Sequence, residues 1–192
     1  MKVLILSPYP ERISKSLKRE GDEYLIFNEI INVEYLKKNK IDFVISYGYK
    51  YIISESVLNY MKNAIINLHI SYLPFNRGCY PNLWSHIDST PSGVSIHRID
   101  KGIDTGEVLL RKKVFIKIKE HNFSSSYDLL RNSIDKLFDE NWKYLRFNEL
   151  DKLIPIEKGS YHNKIEGEKI LKQLKKGWET NIFEALKVIK KI

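Results

Sequence analysis

Near the middle of the chain, an amide and an imidazole side chain lie two residues apart, and both groups can take part in catalysis. Asn67 and His69 follow a short apolar run, Ala64-Ile65-Ile66, on alternate residues. If the run is a β-strand, both side chains leave the same face at its end, because successive side chains of a strand point to opposite faces. An amide and an imidazole would then lie next to each other at the end of the strand.

A carboxylate follows the next candidate strand. Val94 to Ile96 is a second apolar run, and it leads through Asp100 into the turn Lys101-Gly102-Ile103-Asp104-Thr105-Gly106. Acyl transfer to an amine needs a donor for the carbonyl oxygen, a group that takes the amine's proton, and an anion that holds this group's charge. We therefore predict that Asn67, His69 and Asp104 form one catalytic site.

The elements that must position these residues alternate between strands and helices. The composition of Lys2 to Ser7, Tyr24 to Phe27 and Phe43 to Ser46 is typical of buried strands, and Asn32 can cap a helix between the last two. This alternation predicts a Rossmann-like α/β fold, with a mostly parallel twisted sheet and helices on both faces. Ligands bind such sheets at the carboxyl ends of the strands.

The second half of the chain predicts helices. From Ser126 to Leu145, apolar residues that include Tyr127 recur at three- and four-residue spacing, which indicates an amphipathic helix with one buried face. After Pro155 the composition becomes more polar. We therefore predict a catalytic domain over residues 1–150 and a short helical C-terminal extension over residues 151–192.

Composition limits the function classes. With 192 residues, 43% of them hydrophobic and 29% charged, the chain is typical of a globular protein, and no apolar stretch is long enough for a membrane span. We expect a cytoplasmic protein without a membrane partner. The net charge of +8 comes from scattered lysines, so it gives no independent support for a nucleic-acid partner. The single cysteine, Cys79, predicts neither a disulfide nor a metal site, and His86 is predicted to lie on the surface.

These residues also resemble a known family, the folate-dependent formyltransferases, through an ordered set of motifs. The motifs are Asn67 and His69, Ser71-Tyr72-Leu73-Pro74, Arg77-Gly78, Pro81 to Trp84, Ser95-Ile96-His97, and Asp104-Thr105-Gly106. Any one of them would be weak evidence, but the complete set in this order is specific.

The resemblance implies a donor, 10-formyltetrahydrofolate, and no metal. It assigns Asn67 to the oxygen of the formyl group, His69 to the proton of the amine, and Asp104 to the orientation of His69. It also implies contacts with folate from Tyr51, Ile53, Ile99, Asp100, Lys101 and Ile103, mostly through the backbone. His97 lies near the site in the family, and whether it or Cys79 has more than a structural role is left open.

The acceptor is predicted from differences within the family. The first turn, Ser7 to Arg12, has no glycine-rich phosphate loop, and the part after Pro155 is too short for the β-barrel of methionyl-tRNA formyltransferases. Its Gly159 to His162 turn and Gly177-Trp178 pair resemble formyltransferases of bacterial amino-sugar pathways. We therefore expect a small amino-sugar acceptor, nucleotide-linked or otherwise activated, for surface polysaccharide such as lipopolysaccharide.

The residues expected to bind this acceptor are Tyr9, Asn76, Arg77, Gly78 and Tyr80. Glycinamide ribonucleotide and methionyl-tRNA remain as alternative acceptors. A binding protein without catalytic activity, in which the polar strand-end residues only satisfy one another, is a further alternative. A homodimer is left open, because nothing in the pattern separates a dimer face from a core face.

Overall fold

The structure of the protein is a computed structural model that describes residues 1–151, 153 and 158–189. The strands are β1 (Lys2–Leu6), β2 (Glu23–Ile26), β3 (Phe43–Ser46), β4 (Ile65–His69), β5 (Arg77–Gly78), β6 (Gly93–Arg98), β7 (Val108–Lys113) and β8 (Tyr161–His162). The helices are α1 (Glu11–Arg19), α2 (Val33–Lys38), α3 (Glu55–Met61), α4 (Pro81–Ile87), α5 (Phe123–Leu145), α6 (Lys164–Leu171) and α7 (Ile182–Ile189), with a 3-10 turn at Gly177–Glu179. None of the described helices is long and apolar enough to cross a membrane.

The main sheet confirms the predicted α/β arrangement. Its strands lie in the order β2-β1-β3-β4-β6-β7, and β1 pairs in parallel with both β2 and β3. β3 pairs in parallel with β4, so Ser46 and Asn67 lie opposite each other near the carboxyl ends of their strands. This edge of the sheet is where ligands bind in doubly wound folds.

Helices cover both faces of the sheet at its centre, as predicted. All residues from Val3 to Leu6 in β1 have no exposed surface, although alternate residues face opposite sides. The residues of one face pack with Leu36 of α2 and Val57 of α3. On the other face, Phe43 of β3 lies edge-to-face against Trp142 of α5, with ring centroids 5.3 Å apart.

The long helix α5 agrees with the predicted amphipathic pattern, except at its first turn. It begins at Phe123 rather than Ser126, because the side chain of Asn122 caps it by accepting a hydrogen bond of 2.7 Å from the amide of Ser125. Tyr127, which we predicted in the buried stripe, is 37% exposed. The buried residues of the stripe are Leu130, Ile134, Leu137, Phe138, Trp142 and Leu145.

Tertiary contacts divide the chain into two compact units, each built from segments that are far apart in sequence. The first unit is Met1–His69, Ile96–Leu110 and Asp135–Ile154, and the second is Ile70–Ser95, Arg111–Ile134 and Pro155–Ile192. The predicted division into residues 1–150 and 151–192 cuts the chain at one position in the sequence, unlike these units. It stays a prediction. The three catalytic candidates all belong to the first unit.

The second unit contains a sheet of two short strands. β5 and β8 pair in parallel, with Arg77 opposite Tyr161 and Gly78 opposite His162. Gly78 has a φ of +91°, and a Cβ at this position would lie 2.3 Å from the backbone oxygen of His162. Only glycine therefore fits this crossing of the two strands.

Candidate active site

β4 delivers Asn67 and His69 to one face of the sheet. Ile65, Ile66 and Leu68 of this strand are buried, whereas Asn67 and His69 are partly accessible. The apolar residues fix the register of the strand, and the period of two then places both polar side chains on the same side.

Asp104 is placed by a tight turn between β6 and β7. One carboxylate oxygen of Asp100 accepts hydrogen bonds from the amide of Gly102 (3.0 Å) and the hydroxyl of Thr105 (2.6 Å). A Cβ on Gly106 would lie 1.9 Å from the backbone oxygen of Arg98, so only glycine lets the chain return this close. Asp104 itself has a φ of +53°, a left-handed conformation in which Asp and Asn are enriched among residues other than glycine.

The structure brings the three catalytic candidates together with a fourth residue, His97. Oδ2 of Asp104 lies 3.5 Å from Nε2 of His69, and Oδ1 lies 3.4 Å from Nε2 of His97. The amide nitrogen of Asn67 lies 3.4 Å from Oδ1 of Asp104 and 3.2 Å from Nε2 of His97. The side chains of both histidines and of Asp104 are at most 13% exposed, so water screens the interactions among these polar groups only weakly.

The hydrogen bonds of His97 fix the orientation of Asn67. Nδ1 of His97 lies 2.7 Å from the backbone oxygen of Arg98. A carbonyl oxygen only accepts, so Nδ1 carries the hydrogen and Nε2 of the neutral ring is an acceptor. Asn67 therefore donates to His97, which is 2% exposed. Sequence analysis left the role of His97 open, and the structure places it in contact with both Asn67 and Asp104.

The residues expected to contact folate lie on two segments of the first unit. Tyr51 packs edge-to-face with Tyr49 at 5.5 Å, and the ammonium group of Lys50 lies 4.9 Å from the Tyr51 ring centroid. Ile53 is 8% exposed and belongs to the core, so only its backbone can reach a ligand. The neighbouring Ile52 is 85% exposed.

The second segment, residues 99–103, lies next to the first. Ile99 packs against the core cluster that contains Ile53, and Lys101 forms an ion pair with Glu55 of α3. Ile103 is 50% exposed. The carboxylate of Asp100 is used within the turn, so this residue too would meet a ligand through its backbone.

The residues expected to bind the acceptor occupy different environments. Tyr9, in the first unit, packs against Tyr47 with ring centroids 5.9 Å apart. In the second unit, Arg77 and Tyr80 are partly accessible, and Tyr80 has a φ of +57°. Asn76 is fully buried, and its side chain donates to Thr90 (2.8 Å), so it holds the loop from inside rather than facing solvent.

Two residues of the second unit have roles that sequence analysis missed. His86 was predicted on the surface, and this is wrong: it is 8% exposed, and burial lowers its pKa to about 4. Ser160 donates to the side chain of Asn76 and accepts from its amide. No local pattern marks Ser160, since its partner is 84 positions away in the sequence.

Metal-ligand groupings are absent from the described part of the chain. Among these residues, no three His, Cys, Asp or Glu side chains are placed to hold a metal ion.

Comparison with known sequences identifies relatives of the part that carries this site. The sequence model of the formyl transferase family, Formyl_trans_N, matches residues 27–137. The bifunctional polymyxin resistance protein ArnA of Wigglesworthia glossinidia brevipalpis is 40% identical over 100 residues, which cover 52% of this chain and 15% of that protein. The methionyl-tRNA formyltransferase of Agathobacter rectalis is 34% identical over 118 residues, covering 61% of this chain and 38% of that enzyme. The chain thus matches well under half the length of these curated relatives.

Comparison with solved structures extends the similarity over nearly the whole chain. The formyltransferase PseJ from Anoxybacillus kamchatkensis, in complex with UDP-4,6-dideoxy-4-formamido-L-AltNAc and tetrahydrofolate, is 37% identical with a TM-score of 0.89 and covers 97% of each chain. A 4-N formyltransferase from Francisella tularensis shares the fold, at 19% identity and a TM-score of 0.75, over 88% of this chain and 79% of that one. Because the family match spans more than half of the chain and includes Asn67, His69 and Asp104, the chain belongs to the formyl transferase family.

Proposed function

We propose that this protein is an N-formyltransferase that moves the formyl group of 10-formyltetrahydrofolate to the primary amine of a nucleotide-linked amino sugar. The observation that carries the proposal is the arrangement of Asn67, His69 and Asp104 within hydrogen-bonding or ion-pair range, in a chain of the formyl transferase family.

The first unit offers groups that fit the donor. Exposed apolar side chains of Ile52 and Ile103 can cover a flat ring, and the accessible backbone of residues 51–53 and 99–103 can supply hydrogen bonds to it. Lys50 and Lys101 can attract the carboxylates at the other end of a folate. When bound, the donor supplies a formyl carbon that an amine can attack, with release of the amide nitrogen that carried it.

His69 and Asp104 carry out the proton transfer of this reaction. As the new carbon–nitrogen bond forms, the attacking amine loses a proton, and His69 takes it directly or through water. His69 then gives a proton to the nitrogen that leaves as the donor's carbon–nitrogen bond breaks, so the imidazole is neutral again at the end. The carboxylate of Asp104, 3.5 Å from Nε2 of His69, stabilises the imidazolium that results. General-base catalysis of this kind contributes about 10²–10⁴-fold in rate.

Asn67 stabilises the negative charge that develops on the formyl oxygen. Its only donor atom, Nδ2, lies 3.2 Å from His97 and 3.4 Å from Asp104, and both contacts are long for hydrogen bonds. A developing oxyanion at ordinary hydrogen-bond distance accepts more strongly than Oδ1 of Asp104 does at 3.4 Å. One N–H of Asn67 can therefore turn to the oxyanion while the other stays on His97. Donors of this type are worth roughly 10²–10³-fold in rate.

The choice of acceptor is supported by the solved relative that matches almost the whole chain. That enzyme is in complex with a UDP-linked 4-formamido sugar, the chemical product of formyl transfer to a 4-amino sugar. Arg77 supplies a cation that suits a diphosphate, because its planar guanidinium can make two parallel hydrogen bonds. The curated relatives named as methionyl-tRNA formyltransferases make initiator tRNA the competing acceptor.

A formyl-transfer assay tests the proposal directly. The protein is incubated with 10-formyltetrahydrofolate and either UDP-4-amino-4,6-dideoxy-L-AltNAc, glycinamide ribonucleotide or initiator methionyl-tRNA, and the product is sought by its mass gain. We expect the gain with the UDP-amino sugar and its loss in His69→Gln. Formylation of only the tRNA or the ribonucleotide would contradict the choice of acceptor, and no formylation of any amine would contradict the activity.

The cellular setting is part of the proposal. We propose that the reaction takes place in the cytoplasm, where the formylated sugar is a precursor of a surface polysaccharide such as lipopolysaccharide. Loss of N-formyl groups from the surface glycan of a strain that lacks the gene would support this setting. A homodimer, which the sequence leaves open, is tested by light scattering of the purified protein.

A further inference from the structure

We propose that Ser160 is a positioning residue for the acceptor, because the segment of residues 158–163, which we call the C-terminal strap, holds the loop of residues 76–80 in a strained conformation and orients Arg77. The inference rests on the proposed function, since it assigns the acceptor to this loop. All the residues involved belong to the second unit.

The backbone of the loop has a conformation that its own residues do not favour. Asn76, Gly78 and Tyr80 have φ angles of +54°, +91° and +57°, so three of five consecutive residues are left-handed and two of these are not glycine. In residues other than glycine this conformation costs free energy, and it persists only where surrounding contacts stabilise it. The contacts that do so here come mainly from the strap.

Ser160 is the centre of these contacts. Its hydroxyl accepts a hydrogen bond from the amide of Asn76 (2.8 Å) and donates to the side-chain oxygen of the same residue (3.2 Å). Its own amide donates to the backbone oxygen of Pro74 (3.2 Å). Asn76 is fully buried, so these hydrogen bonds satisfy groups that water cannot reach.

Ser160 also orients the side chain of Arg77. The backbone oxygen of Ser160 accepts from the amide of Arg77 at 3.0 Å and from its Nε at 3.3 Å. Nε is thereby occupied, and among the described residues no carboxylate forms an ion pair with this guanidinium. The two terminal nitrogens of Arg77 then present the parallel donors that an acceptor phosphate needs.

The far end of the strap is anchored on α4. The amide of Cys79 donates to the backbone oxygen of His162 (3.0 Å), and the His162 ring stacks on Trp84 at 4.0 Å with an interplanar angle of 6°. Nε2 of His162 lies 2.8 Å from Oδ2 of Asp88, which follows α4. The strap therefore joins the loop to the helix that begins directly after it.

The test uses Ser160→Ala, with Ser160→Thr as the conservative variant and Ser133→Ala, on α5 of the same unit and outside this network, as the control. Loss of the hydroxyl leaves the buried amide of Asn76 without its acceptor, so we expect amide exchange in residues 75–80 to accelerate by about tenfold. We also expect the KM for UDP-4-amino-4,6-dideoxy-L-AltNAc to rise by about tenfold, with kcat and the KM for the folate donor changed less than about twofold. Ser160→Thr should restore most of the acceptor KM.

The outcomes separate this inference from the proposed function. If the wild-type protein formylates the UDP-amino sugar and the acceptor KM of Ser160→Ala equals that of Ser133→Ala, the inference is wrong and the function stands. A fall in kcat with all KM values unchanged would also overturn it, because the strap would then act on the chemical step. If the wild-type protein formylates none of the amines, both fail.

Discussion

Asp104 contacts two histidines at once, and each carboxylate oxygen faces a different ring. His69 is partly accessible and stands on β4, whereas His97 is buried and is held by the backbone of Arg98. The two imidazoles can therefore differ in function although both lie about 3.5 Å from the same carboxylate. His97 holds Asn67, and His69 is the residue to which we assign the proton exchange with a substrate.

The first prediction concerns the charge of Asp104. Asp104→Asn keeps the shape of the side chain but removes the anion that, in the proposed mechanism, stabilises the protonated form of His69. We expect kcat to fall by about 10²-fold or more, because His69 becomes a weaker base, while thermal unfolding changes little. The control is Asp128→Asn, which changes a 68% exposed carboxylate that lies 3.9 Å from the guanidinium of Arg131. Near-normal turnover of Asp104→Asn would remove this residue from the mechanism.

At the scale of elements, the turn between β6 and β7 decides where Asp104 lies. The carboxylate of Asp100 closes the turn from inside, and the amide of Arg98 donates to the backbone oxygen of Glu107 (2.9 Å) at its base. Gly106 lets these two backbone segments approach. The position of the Asp104 carboxylate thus depends on a glycine two residues further along the chain.

The second prediction tests this glycine. In Gly106→Ala the new methyl group would lie 1.9 Å from the backbone oxygen of Arg98, so the turn must open and Asp104 must move. We expect kcat to fall at least about tenfold, since small misplacements of catalytic groups are costly. Gly21→Ala is the control: it has a φ of +72° and no atom within 4 Å, so it should cost about 1–2 kcal/mol of stability and leave kcat unchanged. Equal effects of the two substitutions on kcat would contradict this account.

At the scale of the whole molecule, buried charges join segments that are distant in sequence. The carboxylate of Asp22 has no exposed surface and accepts hydrogen bonds from Nε1 of Trp142 (2.8 Å) and from the terminal ammonium group of Met1 (3.0 Å). It also pairs with the guanidinium of Arg146, which follows α5. This cluster ties the start of the chain to the end of the long helix.

The third prediction is a loss of stability when this cluster is broken. Asp22→Ala leaves Arg146, whose side chain is 11% exposed, without its buried partner. We expect the free energy of unfolding to fall by about 3–5 kcal/mol, measured by urea denaturation. The matched control is Asp128→Ala, which removes a 68% exposed carboxylate 3.9 Å from Arg131 and should cost about 0–1 kcal/mol. Similar costs for both would show that the cluster is not coupled to folding.

The fourth prediction is a pH dependence of stability that arises from His86. Burial lowers the pKa of His86 from 6.5 to about 4, so between these values the unfolded chain binds a proton that the folded chain does not. The free energy of unfolding is therefore unaffected by His86 above about pH 6.5. It falls as the pH is lowered to about 4, and His86 accounts for about 3 kcal/mol of this fall.

The measurement compares urea unfolding from pH 7 to pH 4 in the wild-type protein and in His86→Met, which has a similar volume and no titrating group. The variant should show a shallower loss of stability with falling pH, because its unfolded state gains no proton at this position. Parallel curves for the two proteins would mean that His86 keeps an ordinary pKa in the folded state.

Several features of this protein were determined by the sequence itself, because the interactions behind them are local. The apolar run of β1 predicted a strand buried on both faces, and Asn32 predicted the start of α2, where its side chain accepts from the amide of Tyr35 at 2.8 Å. The alternation at the end of β4 predicted that Asn67 and His69 share a face. These rules depend on a strand period of two or on contacts within one helical turn.

Only the tertiary structure decided the features that depend on residues far apart in the chain. His86 was predicted on the surface but is buried, and Tyr127 follows the apolar spacing of α5 but is exposed. Burial is determined by the packing partners of a residue and not by periodicity alone. The contact of His97 with Asn67 joins residues 30 positions apart, and that of Ser160 with Asn76 joins residues 84 positions apart. Sequence spacing carries no information on such contacts. The candidate residues Asn67, His69 and Asp104 could therefore be named from the sequence, whereas the residues that hold them in place could not.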